Sequence, residues 1–239
     1  MRKKNKNNEL NRENSKKNLE LQAEEILRDT QFQNTQTASE GIVDSTLYYD
    51  DMLYNNNIVA NFNPFQQLNP KVQYLAPYPE IKVEQPNLYY AEILLDDFAG
   101  LTSEFTATNQ YLFHAFEFSK VSAELVENWI LISEIERGHM QILAMIIELL
   151  GGRPVYRGSV STDADFWNGN FVRYGSSLCE QIMTDIETEK NSITQYREHI
   201  LRIKDGYIQQ MLDRIIRDEE VHLRCFEEAL KKYCGKPMY

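Results

Sequence analysis

Two short Glu-x-x-His motifs are the clearest candidates for chemistry in this sequence. Glu136 and His139 form one, in EIERGH, and Glu219 and His222 form the other, in DEEVH. On a helix this spacing places both side chains on one face, nearly one turn apart. Carboxylates and imidazoles are suitable ligands for iron and manganese. The motifs therefore predict two pairs of terminal metal ligands, one pair for each of two ions.

A longer pattern, Glu-x6-Tyr-x2-His, occurs twice and precedes each of these motifs. The Glu of this longer pattern recurs after 85 residues, and the Glu of the Glu-x-x-His motif recurs after 83. This repeat predicts two related helix pairs about a pseudo-two-fold axis, which would build a nearly symmetric two-metal site. The members of the repeat are Glu104, Tyr111 and His114 in EFTATNQYLFH, and Glu189, Tyr196 and His199 in EKNSITQYREH.

The acids fall where helical spacing calls for an apolar residue. Glu104, for example, continues a stripe that includes Phe98 and Leu101. A buried, ionised and unpaired carboxylate costs several kcal/mol, so four of them need protons, cations or metal. Two divalent ions would balance four carboxylates, and two imidazoles complete the set. Glu104 and Glu189 are expected either to bridge the ions or to bind one each. The predicted ligands are Glu104, Glu136, His139, Glu189, Glu219 and His222.

The repeated tyrosines and histidines have different expected roles. Tyr111 and Tyr196 follow their Glu by seven residues on the same face, and helical side chains lean towards the N-terminus. They are expected either to pack in the core or to hydrogen-bond to a ligand carboxylate and orient it. His114 and His199 lie off the stripe and are expected at the edge or surface of the bundle.

Apolar spacing of three and four residues predicts four helical segments, over about 89–118, 121–150, 175–204 and 206–233. Gly151 and Gly152 end the second segment, and short joins within each pair predict antiparallel neighbours. Residues 152–174 are long enough to cross the bundle from end to end. The prediction is an all-α four-helix bundle over 89–234, with a long crossover between helices 2 and 3.

The chain before residue 88 has a different character. Residues 1–45 are rich in Asn, Lys, Gln and Glu and are expected to form a disordered polar tail, or a docking or targeting arm. Residues 46–88 combine aromatic residues with prolines, which disfavour long helices. We expect an extended segment that lies over the bundle or over a partner subunit.

Composition limits the possible functions and locations. The 239 residues carry a net charge of −11, which argues against nucleic-acid binding. No apolar run is long enough for a membrane span. The three cysteines form no C-x-x-C pair and are expected to be packed or exposed thiols, which favours a reducing cytoplasmic location, alone or within a larger assembly.

With these motifs and helices, the sequence resembles the ferritin-like superfamily, particularly rubrerythrin-type and bacterioferritin-type di-iron domains. The resemblance covers about residues 88–234, and four segments are similar to a bacterial, Firmicutes-type group: YYAEILLDDFAG, LGGRPVYR, FWNGNFVRYG and RIIRDEEVHLRCFEEAL. It implies two iron ions, or two manganese ions, and an oxidoreductase of the peroxidase or ferroxidase type. Its substrate would be peroxide or O2, and its setting oxidative stress. The usual rubrerythrin electron donor, a rubredoxin module, is absent from the sequence, so an unidentified donor would supply the electrons.

Two alternatives remain open from the sequence. A dimanganese catalase would share the bundle and need no external reductant. A structural protein, docked into a coat or shell by the 88 residues before the bundle, would use the bundle mainly as a platform. Iron storage fits less well, since nothing marks the fifth helix of storage cages. A homodimer is expected, because the aromatic residues of 46–88 and the amphipathic outer faces of the helices need to be covered.

Overall fold

The computed structural model describes residues 69–159 and 166–235, and this part of the chain is helical and contains no β-strand. Short 3₁₀ turns occur at Phe118–Lys120 and Gly169–Phe171. None of the helices in these two ranges combines the length and the hydropathy needed to cross a membrane. The α-helices within these ranges are α1 (Leu88–Ala99), α2 (Glu104–Glu117), α3 (Ala123–Leu149), α4 (Leu178–Arg202) and α5 (Gly206–Cys234).

Every helix begins directly after a residue whose side-chain oxygen accepts a hydrogen bond from a backbone N–H in the first turn. Such caps satisfy N–H groups that have no partner inside the helix, and they fix where each helix starts. The capping residues, from α1 to α5, are Asn87, Ser103, Ser122, Ser177 and Asp205.

The first predicted segment is two helices rather than one. A Cβ atom at Gly100 would lie 2.7 Å from the carbonyl oxygen of Asp96, so the chain turns closely there. The Ser103 hydroxyl donates to the Gly100 carbonyl at 2.7 Å and caps α2. Leu101, predicted in the buried stripe, is 66% exposed because it lies in this break. The break sets the position of Glu104, the first residue of α2.

Two helical hairpins make up the bundle. The first consists of α3 packed along α1 and α2, which together occupy one bundle position, and the second consists of α4 packed along α5. Trp129, Tyr111 and Phe226 are fully buried between the hairpins. Tyr111 and Trp129 each contact the Phe226 ring, with centroids 5.0 and 4.6 Å apart. The apolar stripes therefore meet around one core, as their spacing predicts.

The chain between α3 and α4 lies along the first hairpin where it is described. The Trp167 indole donates to the Thr106 hydroxyl at 2.9 Å, and the backbone N–H of Arg173 donates to the Gln110 side chain at 3.0 Å. Both contacts are with α2, so this connection follows the bundle as predicted for a crossover.

The expectation of packed or exposed thiols is wrong for two of the three cysteines. Cys179, in the first turn of α4, forms a disulfide with Cys234, the last residue of α5, and their Cα atoms are 5.8 Å apart. Cys225 is a free thiol. The pairing follows from the antiparallel hairpin, which brings the start of one helix beside the end of the other. Spacing along the sequence could not reveal it, since 55 residues separate the pair.

Residues 69–87 precede the bundle and carry no helix or strand. They lie against α5: the Arg214 guanidinium donates to the carbonyl oxygens of Tyr74 and Ala76 at 2.8 and 2.9 Å. Near the other end, the Glu84 N–H donates to the Asp205 carboxylate at 2.6 Å. We call residues 69–87 the leader segment. The predicted tail over residues 1–45, and residues 46–68 of the extended segment predicted over 46–88, lie outside the described residues.

Candidate metal centre

The structure brings all six predicted ligand residues together in the middle of the bundle. They form two groups, and within each group the ligand atoms lie within 4.8 Å of one another. Every one of these residues is buried. The two groups are Glu104, Glu136, His139 and Glu219, and Glu136, Glu189, Glu219 and His222.

Each histidine faces the carboxylates through its Nδ1 atom. His139 Nδ1 lies 3.0 Å from Glu136 Oε2 and 3.1 Å from Glu219 Oε1. His222 Nδ1 lies 2.9 Å from Glu136 Oε1 and 3.7 Å from Glu219 Oε2. Glu136 and Glu219 therefore direct one oxygen towards each imidazole and are shared by the two groups. This differs from the expectation that each Glu-x-x-His carboxylate serves a single ion.

The other two carboxylates belong to one group each. Glu104 Oε2 lies 3.5 Å from His139 Nδ1, and Glu189 Oε1 lies 3.9 Å from His222 Nδ1. These two residues begin the two copies of the sequence repeat. The pseudo-two-fold relation predicted from the repeat is therefore present in the ligand geometry.

Four ligand atoms fit a cation better than they fit a hydrogen-bond network. Within the described part of the chain they are buried and have no hydrogen bond of acceptable geometry, although carboxylates and imidazoles surround them. Buried polar atoms normally have such partners, so unsatisfied atoms of this kind are expected of metal ligands. The atoms are Glu136 Oε1, Glu189 Oε2, Glu219 Oε1 and His222 Nδ1. His222 Nε2, on the other side of its ring, is likewise buried without a partner.

The pKa values in the cluster show how strongly it attracts positive charge. Burial, with the nearby Glu136 and Glu219, raises the pKa of Glu104 and of Glu189 well above the ordinary carboxyl value. Burial opposes the charged imidazolium of His222, but Glu136 and Glu219 prevail and raise its pKa to about 10. Protons thus occupy the place of cations in this cluster, and the donor set fits two divalent ions.

The two repeated tyrosines bind the ligand carboxylates reciprocally. The Tyr111 hydroxyl, on α2, donates to Glu189 Oε1 on α4 at 2.5 Å. The Tyr196 hydroxyl, on α4, donates to Glu104 Oε1 on α2. Burial and the adjacent carboxylates raise the pKa of both tyrosines well above the usual phenol value, which keeps them neutral donors. Each tyrosine thus orients the Glu of the other repeat.

The expectation that His114 and His199 lie at the edge or surface is wrong. They are 0% and 4% exposed. His114 Nδ1 lies 2.9 Å from Asp185 Oδ1, and His199 Nδ1 lies 2.7 Å from Asp97 Oδ2. The histidines deviate from the ligand stripe because each faces an aspartate on the other hairpin.

Sequence reasoning missed the aspartates and two glutamines that join them. Gln110 donates to Asp185 at 2.9 Å, and Gln195 donates to Asp97 at 2.8 Å. The glutamines could have been found from the sequence, because a Gln directly precedes the Tyr in both copies of the repeat. The aspartates were harder to find, since Asp97 precedes its Glu by seven residues and Asp185 by four. The helix break at Gly100 accounts for the additional residues.

Asp218 was also missed, although it directly precedes a predicted ligand. Its Oδ2 lies 3.1 Å from His139 Nε2, the ring nitrogen opposite the ligand cluster. A carboxylate in this place fixes the ring and directs Nδ1 towards the ligand cluster. Burial raises the pKa of Asp218, but its contacts with His139 outweigh this and lower it below the ordinary value. Glu187 lies only two residues before the predicted ligand Glu189, but it pairs at the surface with Arg173 and takes no part in the cluster.

Comparisons with known proteins agree with this architecture. The model of the ferritin-like domain family matches residues 99–233. A probable manganese catalase from Clostridium acetobutylicum is 26% identical over 172 residues, covering 64% of this chain and 75% of the relative. A bacterioferritin from Mycobacterium leprae is 30% identical over 145 residues, covering 58% of this chain and 85% of the relative.

A solved structure shares the fold. The crystal structure of a manganese catalase from Anabaena superposes with a TM-score of 0.61 at 19% identity, covering 72% of this chain and 84% of that one. The predicted all-α ferritin-like bundle is therefore confirmed, and its buried carboxylate and histidine cluster fits a dinuclear iron or manganese site. The chain belongs to the ferritin-like domain family.

Proposed function

We propose that this chain is a dinuclear-metal oxidoreductase that acts on hydrogen peroxide or O2. One observation carries the proposal: six buried carboxylate and imidazole side chains converge, and five of their atoms lack hydrogen-bond partners in the described structure. Two iron or manganese ions bound there would supply the one-electron steps that these side chains cannot perform.

The geometry supports a distinct role for each ligand residue. Glu136 and Glu219 are shared by both groups, which suits carboxylates that bridge two ions. Glu104 with His139, and Glu189 with His222, suit terminal ligands. Tyr111 and Tyr196 hold Glu189 and Glu104 in place through hydrogen bonds. Hydrogen-bonded carboxylates keep their orientation when a substrate enters, which is the function of such supporting residues.

Disproportionation of peroxide is the more specific candidate. The similarity to the probable manganese catalase extends over 172 residues, against 145 for the Mycobacterium leprae bacterioferritin. That reaction converts two molecules of peroxide to two of water and one of O2, so the electrons balance without an external donor. A ferroxidase or peroxidase reaction would instead need Fe(II) or another reductant.

The biological setting of this activity is a separate prediction. We expect a homodimer and a cytoplasmic location, either free or in a larger assembly, although the Cys179–Cys234 disulfide removes the argument for that location from free thiols. The domain limits of 1–45, 46–88 and 89–234 likewise remain predictions. If residues 1–45 dock the bundle to a partner, removing them should change the partners or the location of the protein and leave peroxide turnover intact.

The decisive experiment measures bound metal and peroxide turnover on protein purified from its native source. About two manganese ions per chain with donor-independent O2 release would identify a catalase. About two iron ions with donor-dependent peroxide loss would identify a peroxidase or ferroxidase. Glu104→Gln and Glu189→Gln should abolish turnover and leave the fold intact. Glu134→Gln is the matched control, because Glu134 lies exposed on α3 and pairs with Arg137.

Metal far below one ion per chain, with no turnover after loading with either metal, would overturn the proposal. The bundle would then be the platform of a structural protein.

A further inference from the structure

The leader segment lies directly over one half of the metal centre. The Tyr74 N–H donates to Asp218 Oδ1 at 2.8 Å, and Arg214 donates to the carbonyl oxygens of Tyr74 and Ala76, which directly follow this point. Arg214 also forms an ion pair with Asp218, at 2.8 Å, and both side chains are buried. A charged pair on α5 therefore fixes the leader beside the ligand Glu219.

From this anchored segment Tyr78 reaches the centre. Its hydroxyl donates to Asp218 Oδ2 and lies 3.0 Å from His139 Nε2. The Arg214 guanidinium stacks over the Tyr78 ring, 4.0 Å from its centroid. The hydroxyl, the carboxylate and the imidazole thus form a closed triangle, with His139 as the only ligand residue in it.

This triangle determines how His139 is presented. Its Nε2 faces Asp218 and Tyr78, so the Nε2 proton is held there, and Nδ1 is directed at Glu136 and Glu219. Two partners restrain the ring more tightly than one, because rotation about the side-chain bonds breaks both contacts. The imidazole is held in the orientation that a metal ion requires.

Within the described residues, the other half of the centre has no equivalent of this triangle. There, His222 Nε2 is buried without a hydrogen-bond partner. The residue on α3 that corresponds to Asp218, by the 83-residue offset of the repeat, is Ile135. Asp218 and the leader segment together therefore make the two halves of the centre different.

We propose that Tyr78 is a positioning residue that makes the His139 half of the centre bind its metal ion more tightly than the His222 half. The inference rests on the proposed two-metal function. It assigns to the leader a part in the metal centre, in addition to any role in covering the bundle. The consequence is sequential loading, with the ion at Glu104 and His139 bound first and the ion at Glu189 and His222 bound second.

The test is a titration of the metal-free full-length protein with Co²⁺ under anaerobic conditions, followed by calorimetry and by the visible absorption of bound Co²⁺. Wild-type protein should show two separate binding steps. Tyr78→Phe should weaken the first step by about tenfold, as removal of supporting groups commonly does, and leave the second step unchanged. The two steps should then approach each other.

Tyr74→Phe is the matched control on the same segment. The contacts of Tyr74 are its backbone N–H and carbonyl and its ring, 5.4 Å from the Arg214 guanidinium, and the substitution retains all of them. Tyr78→Phe also retains its ring under Arg214, so both variants should fold. Equal melting temperatures of the two metal-free variants would show that a change in Co²⁺ binding is not a loss of structure.

Three results would count against the inference. Equal weakening of both steps in Tyr78→Phe would indicate a general structural role. Unchanged steps would show that the hydroxyl does not position His139. A single step in wild-type protein would show that the two halves are equivalent. Failure of wild-type protein to bind Co²⁺ would instead refute the proposed two-metal function, so the two failures are distinguishable.

Discussion

Metal binding should release protons, because protons neutralise the ligand cluster when no metal does. Burial disfavours the charged form of His139, but Tyr78, Glu104 and Asp218 raise its pKa well above the ordinary imidazole value. His222 has a pKa of about 10 for the same kind of reason. Both imidazoles are therefore charged at pH 7 in the metal-free protein, and both must lose a proton to become ligands.

The number of protons follows from the same residues. The two imidazoles give about two protons for each pair of metal ions. The raised pKa values of Glu104 and Glu189 act in the same direction and can only add to this number. Each released proton changes the overall association constant about tenfold per pH unit. Because protons compete with the metal, affinity should rise with pH, by roughly 10² or more per unit near neutrality.

Calorimetry in buffers that differ in ionisation enthalpy counts these protons directly. The slope of the observed binding heat against buffer enthalpy gives the number released at a fixed pH. Glu220→Gln is a suitable control, because Glu220 is adjacent to Glu219 but pairs with Arg197 and Arg217 outside the cluster. The variant should release as many protons as wild-type protein. A release below about one proton would refute the reasoning, since it would mean that the imidazoles are already neutral.

Three further changes test the scaffold and the supporting hydrogen bonds. Replacing both Cys179 and Cys234 with Ser should lower the free energy of unfolding by about 4 kcal/mol in urea titrations, because the disulfide closes a loop of 55 residues. Gly100→Ala should cost about 1–3 kcal/mol by the same measurement, since its Cβ would meet a carbonyl oxygen at 2.7 Å. Gly206→Ala, which meets only a carboxylate oxygen at 3.6 Å, should cost less than Gly100→Ala. Tyr111→Phe should lower peroxide turnover about tenfold with an unchanged fold by circular dichroism, because the ligand carboxylate loses its donor.

The ligand residues could be predicted because they break a strong pattern. An acid in an apolar stripe is costly, and a His nearly one turn later on the same face explains it. The repeat then linked Glu104 and Glu189, which have no such His. Helical periodicity in segments of 25 residues or more also allowed the bundle to be predicted, since long amphipathic helices with clear ends are compatible with few other folds.

Features that depend on contacts between distant residues could not be predicted. The break at Gly100 gives no sign in the periodicity, because the apolar spacing continues across it. Cys179 and Cys234 meet only because α4 and α5 are antiparallel and of similar length. The burial of His114 depends on Asp185, which lies 71 residues away in the sequence. Each of these features becomes visible only when the helices are packed.

The repeat has a consequence for how the centre is assembled. Each tyrosine binds the Glu of the other copy, and each outer histidine binds the Asp of the other copy. Neither helical hairpin can therefore complete its own half of the centre, and the ligands gain their final positions only when the hairpins dock. This arrangement gives two nearly equivalent halves. Two features of the described chain distinguish them: Asp218, whose counterpart in the repeat is Ile135, and the leader segment, which places Tyr78 at His139.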